Sequence, residues 1–126
     1  MARMNVVLDT TVLVDVLHGF HPALQYLTEL EGVLYCSEAT RIEIIRGLRS
    51  HERRPAEQLF GGLRWVPVDE TIARLAGELG RQWRRSHPGI SSEDLAIAAT
   101  AESLNAQLAT SNVKHFPMFA GLRPPY

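Results

Sequence analysis

The sequence predicts an α/β domain in which a short, mainly parallel sheet is covered by helices on both faces. Three observations carry that expectation. Four short apolar runs, at residues 5–9, 33–36, 64–68 and 107–110, have the length and composition of strands. The segments between them have helical periodicity, and strands that alternate with helices imply crossover connections and a parallel sheet. The helical stretch from Leu95 to Ala101 is apolar nearly all round, as in a helix buried inside a layered domain.

Taken in order, NVVLD (5–9) reads as a buried strand with β-branched content, followed by a helix over 11–18. His21-Pro22 opens a second helix with Leu24, Leu27 and Leu30 on one side, running to Gly32. VLYC (33–36) is the second strand. Ser37 is an N-cap for a helix through about Arg49. Residues 52–62 form another helix closed by Gly61-Gly62. RWVPV (64–68) is strand-like, and Pro67 puts it at a sheet edge or a strand end. Asp69 caps the clearest amphipathic helix, with Ile72, Leu75, Ala76, Leu79 and Trp83 on one face. That helix stops near His87-Pro88-Gly89. Ser91 or Ser92 caps the next one. QLAT (107–110) is the last strand, before an irregular segment and a Pro-rich end.

The chain has 126 residues, 45 % of them apolar and 21 % charged, which fits one soluble globular domain and excludes a disordered polypeptide. The formal net charge of −1 neither favours nor excludes a nucleic-acid partner, although twelve of the thirteen basic residues are Arg. The single cysteine, Cys36, allows no internal disulfide and fits a reducing, cytoplasmic setting; it reads as a small buried thiol. No apolar run approaches the length of a membrane span. Arg3 precedes an apolar stretch, but Asp9 and Asp15 interrupt what would be a signal-peptide core.

Three carboxylates sit where core residues are expected. Asp9 ends a buried strand, Glu43 lies among Ile42, Ile44 and Ile45, and Asp94 opens the most apolar helix. Each has an ordinary structural explanation. Asp9 is a suitable helix cap, Asp94 stands three residues after Ser91 as in a capping box, and Glu43 is spaced to pair with Arg46 or Arg49. As a set they are harder to dismiss, because acids gathered at one end of a parallel sheet repel one another unless a cation joins them. Hard oxygen ligands suit Mg²⁺ or Mn²⁺. Gly47, one turn after Glu43, leaves room for close approach of backbone or ligand. Ligands bind outside the carboxyl ends of such strands, where Asp9 and Ser111-Asn112 fall. Asp15 reads as a helix-surface acid.

The combination Asp9-Thr10-Thr11, Glu43-Ile-Ile-Arg-Gly47, Asp94-Leu-Ala-Ile-Ala-Ala-Thr-Ala and Thr110-Ser-Asn112-Val-Lys-His-Phe116 resembles a PIN domain, and more closely the VapC-type toxins of bacterial toxin–antitoxin pairs. The likeness runs from residue 5 to about 119; no single motif is specific, but the four in series are. The resemblance implies a PIN-like three-layer α/β/α domain and a metal-dependent endoribonuclease. It also implies a homodimer, and inhibition by a cognate VapB-type antitoxin that inserts a C-terminal segment over the active site. By position, Asp9 and Asp94 match the family's principal metal ligands. Glu43 matches the acid that helps hold the metal directly or through a water. Two positions that are often Asp in the family are Asn112 and His115 here, which lowers the negative charge of the site and leaves Asn112 a weak ligand.

On this reading a Mg²⁺ or Mn²⁺ ion held by Asp9 and Asp94, with Glu43 assisting, promotes attack of water on an RNA phosphodiester. Thr10 or Ser111 can donate hydrogen bonds to phosphate or to a ligating carboxylate, or serve ordinary helix-cap and turn chemistry. Arg46 and Arg49, with Arg53 and Arg54 beyond them, and Arg81, Arg84 and Arg85 supply positive charge for RNA. Trp65 and Trp83 read as core or interface residues. The competing reading is a PIN-like RNA- or protein-binding module with weak or lost catalysis, to which Asn112 lends some weight. A haloacid-dehalogenase-type phosphatase wants a second Asp where Thr11 stands, and a receiver domain wants an acceptor Asp that the second strand lacks.

Overall fold

Val6, Val7 and Leu8 carry no polar side chain, and the strand they form is wholly buried at the centre of the sheet. The computed structural model describes residues 4–126; Arg3 lies outside the described residues. Four strands, β1 (Val6–Leu8), β2 (Leu34–Ser37), β3 (Arg64–Val66) and β4 (Gln107–Ala109), form one parallel sheet in the order β3-β2-β1-β4. Val6 pairs with Leu34 on one side and Gln107 on the other. β3 is an edge strand, and Pro67 follows its last residue, as its missing N–H requires.

Six helices make the crossovers: α1 (Thr10–Leu17), α2 (His21–Glu29), α3 (Glu38–Gly47), α4 (Arg53–Gly61), α5 (Glu70–Trp83) and α6 (Ser92–Ser103). Strand alternation sends Val6 and Leu8 to one face, where they pack with Val12, Leu13, Ile44, Ala56 and Phe60. Val7 and Leu108 go to the other, against Ile72, Leu79 and Ile97. The result is the three-layer α/β/α arrangement. Residues Ala96 to Ala101 of α6 are all buried, as their run, apolar but for Thr100, predicts.

Local signals set the helix starts. The Ser37 hydroxyl accepts the Ala39 N–H at 3.1 Å, the Asp69 carboxylate accepts that of Ile72 at 2.9 Å, and the Ser91 hydroxyl accepts that of Asp94 at 3.1 Å. Each such cap stabilises its helix by about 1 kcal/mol. Differences from the sequence reading lie at element ends. α2 stops at Glu29 because Leu30 turns extended, and α3 stops at Gly47 rather than Arg49 because Leu48 does the same. A 3-10 turn, Ser50–Glu52, leads into α4, and a second, Val113–His115, occupies part of the segment read as irregular. Trp65 packs on the core, its Nε1 donating to the Phe60 carbonyl at 3.0 Å, with the Arg41 guanidinium over its ring. Trp83 is half-buried, and its Nε1 is enclosed without a hydrogen-bond partner among the described residues.

Glycine constrains the fold at a different place from the one expected. A Cβ on Gly47 would meet nothing within 4 Å, so that glycine answers to no close approach within the chain. A Cβ on Gly32 would lie 1.6 Å from the Met4 carbonyl oxygen, because the backbone approaching β2 presses directly on the backbone leading into β1. Gly32→Ala must push these segments apart and is expected to lower stability by about 1–3 kcal/mol, read as a reduced midpoint in urea unfolding. Cys36 is fully buried, and burial pushes its thiol up to about 12. Iodoacetamide at neutral pH should leave the native chain unmodified while alkylating the urea-unfolded chain, as mass spectrometry would record.

Candidate active site

Parallel strands turn all their carboxyl ends the same way. The chain leaves β1 for β2 on one side and returns as β4 on the other. A crevice for ligands opens between such departures. Asp9 follows directly on β1, and Thr110 to Asn112 follow on β4, so both exits deliver side chains to one place. A cavity of about 410 Å³ lies there. Its walls include the acids Asp9, Asp15, Glu43 and Asp94 together with His115, and among the described residues no Arg or Lys.

Asp9 is 2 % exposed. It occupies the N-cap position of α1, yet its side chain caps nothing. Instead Oδ2 accepts hydrogen bonds from the Thr11 hydroxyl at 2.8 Å and the Thr110 hydroxyl at 2.7 Å. The Thr110 oxygen accepts the Asn112 N–H at 2.9 Å, and the Thr11 oxygen accepts the Ser111 N–H at 3.2 Å. The two threonines thereby stitch the exit of β4 to the exit of β1 around one carboxylate. Neither has a role evident in the sequence; the available signal is a Thr two residues after the acid and another at the end of the strand that pairs with it.

Glu43, half-buried on α3, accepts a 2.7 Å hydrogen bond from the Thr10 hydroxyl, which also lies 3.2 Å from the Thr40 hydroxyl. It forms no ion pair with Arg46 or Arg49. Burial raises its pKa first, and the charges of Asp9, Asp94 and Glu93 raise it further against the opposing Thr10 bond. Asp94 stands in the first turn of α6, its N–H capped by Ser91 and its Oδ2 3.0 Å from His115 Nδ1. Burial raises its pKa too, then the charge of Asp9, with His115 and Ser91 pulling the other way. Glu43 and Asp94, which share neither strand nor helix with Asp9, thus register its charge.

Ser111 and Asn112 line the same cavity from its exposed rim. The arginines do not reach it. Arg49 lines a separate cleft with His18 and Glu52, Arg46 is exposed at the end of α3, and Arg81, Arg84 and Arg85 line a cleft of about 390 Å³ at the end of α5. Asp15 lies on the surface of α1, half-buried at the side that borders the acidic cavity, and Oδ2 accepts a 2.6 Å hydrogen bond from the Tyr126 hydroxyl.

Oxygen donors, mutual repulsion and walls without Arg or Lys among the described residues fit a hard divalent cation. Among the described residues no three His, Cys, Asp or Glu side chains are drawn together tightly enough to enclose a metal. Each carboxylate is held by its own partner instead. An ion that keeps its own waters and takes one or two carboxylates directly needs no such cage.

Comparison with known proteins agrees with this architecture. The family model described as PIN domain matches residues 6–121. Ribonuclease VapC19 of Mycobacterium tuberculosis is 44 % identical over 122 residues, covering 94 % of this chain and 98 % of that protein. A chain of a toxin–antitoxin complex from Klebsiella pneumoniae superposes with a TM-score of 0.82 at 24 % identity, over 96 % of this chain and 98 % of that one. A chain of VapBC-1 from nontypeable Haemophilus influenzae does so with 0.74 at 27 % identity, over 90 % of each. With the strand order, the acidic cavity and these likenesses in agreement, the chain belongs to the PIN-domain family, among its VapC-type toxins.

Proposed function

We propose that this chain is an endoribonuclease toxin that hydrolyses RNA phosphodiester bonds with Mg²⁺ or Mn²⁺ held by Asp9 and Asp94, Glu43 assisting directly or through a water. One observation carries the reading: three acids from three different elements meet in one cavity that no Arg or Lys among the described residues lines. The name of its 44 %-identical relative, a ribonuclease, supports the reaction class. When bound, the ion lowers the pKa of water and offsets charge that builds on the phosphate oxygens.

The chain's own groups prepare that chemistry. Thr11 and Thr110 both bond Asp9 through Oδ2, so Oδ1 keeps its lone pairs for the cation. Thr10 holds Glu43 by one oxygen in the same manner. Ser111 and Asn112, on the exposed rim, are placed to meet phosphate or to orient water. RNA itself is held away from the acids. Arg81, Arg84 and Arg85 share a cleft with no acid among its walls, and residues 86–90 lead from there to Gly89 and Ser91 on the cavity. Arg46 and Arg49 extend the positive surface beyond α3.

The partners we propose are a cognate VapB-type antitoxin and a second copy of the chain. The antitoxin is supported by the VapBC complex whose toxin-like chain this fold matches. A protein partner also suits α3, where Ile42 is 63 % and Ile45 45 % exposed, an apolar surface of the kind that marks interaction sites.

Cleavage of RNA in Mg²⁺ or Mn²⁺ should fall by about 100-fold or more in Asp9→Asn, and chelation of the wild type should abolish it until either ion is restored. Cleavage is read on a denaturing gel with an uncleavable control. Full activity in Asp9→Asn would overturn the site assignment, and a wild type that binds RNA without cutting it would be a binding module. Reversing charge with Arg84→Glu and Arg85→Glu together should weaken RNA binding to the Asp9→Asn background. It should also flatten the salt dependence, by a slope of about one for each phosphate no longer neutralised.

A further inference from the structure

We propose that His115 is a positioning residue for Asp94, its Nδ1–H holding Oδ2 so that Oδ1 is left free for the divalent cation that Asp94 would hold. The inference rests on the reading of Asp94 as a ligand of that cation. Nδ1 and Oδ2 are 3.0 Å apart. An ionised carboxylate only accepts, so the nitrogen is the donor and the bond needs nothing more than the neutral imidazole.

The two residues come from independent elements, 21 positions apart. Asp94 is fixed in the first turn of α6 by the Ser91 cap. His115 ends the 3-10 turn Val113–His115, where its N–H donates to the Asn112 carbonyl at 3.0 Å. The next residue, Phe116, is 1 % exposed and belongs to the core cluster that includes Ile97 of α6. The backbone that carries the imidazole is therefore anchored; the His115 side chain is 46 % exposed and that of Asp94 14 %. Both face the cavity that also holds Asp9 and Glu43. A pair placed only to decorate the surface has no reason to point into that cavity. Ligating carboxylates are commonly oriented by a hydrogen bond on the oxygen that does not bind metal, and losing that bond weakens metal affinity.

The test is binding of Mn²⁺ to metal-free protein, followed by the electron paramagnetic resonance signal of the free ion, so that no turnover is needed. His115→Ala should raise the dissociation constant about 10–100-fold with an unchanged melting temperature. His115→Asn should recover most of the affinity, because the amide nitrogen stands near the place of Nδ1 and donates in its stead. Wild-type affinity in His115→Ala, or no recovery in His115→Asn, overturns the positioning role. Asp94→Asn separates the two levels. Loss of Mn²⁺ there with no effect at His115 removes this inference alone, whereas unchanged binding in Asp94→Asn removes the ligand reading beneath it and the inference with it.

Discussion

A carboxylate with 2 % exposure, held by two threonine hydroxyls and by no basic side chain among the described residues, is the constraint around which this end of the molecule is arranged. Burying such a charge without a partner is costly. The hydroxyls from β1's exit and β4's exit reduce that cost, and in doing so they fasten the edge strand β4 to its neighbour β1 at the point where the cavity opens. Glu43 and Asp94 stand close enough to feel the same charge. The two apolar clusters on opposite faces of the sheet supply the stability that offsets this crowding of like charges.

Much of this architecture is legible in the sequence because it rests on local signals. The caps at Ser37, Asp69 and Ser91 each announce a helix. The run from Ala96 to Ala101, interrupted only by Thr100, announces a deeply buried stretch of helix, and Pro67 announces an edge. Element ends are less legible. Leu48 and Leu30 turn extended for reasons that lie in packing rather than in their own propensities, so α2 and α3 end earlier than their patterns suggest.

The acids of the cavity are legible as a set because each violates the apolar pattern around it. Their supports are not. Thr11, Thr40 and Thr110 look like ordinary β-branched residues until the sheet brings positions 9 and 110 side by side. Asp15 gains a partner that local spacing does not announce: Tyr126, which returns against Phe20 and Tyr26 and donates to it. Pairing of Glu43 with Arg46 or Arg49 is sound on local spacing, but tertiary structure sets it aside because Thr10 of α1 lies nearer.

The bond between Thr110 and Asp9 spans 101 positions of sequence. The acidic cavity is therefore complete only once β4 has taken its place beside β1. A chain still emerging from the ribosome has Asp9, Glu43 and even Asp94 in hand while the strand that joins them is unmade. Synthesis and competence are thereby separated in time by topology alone, which is a useful property for a polypeptide that attacks RNA.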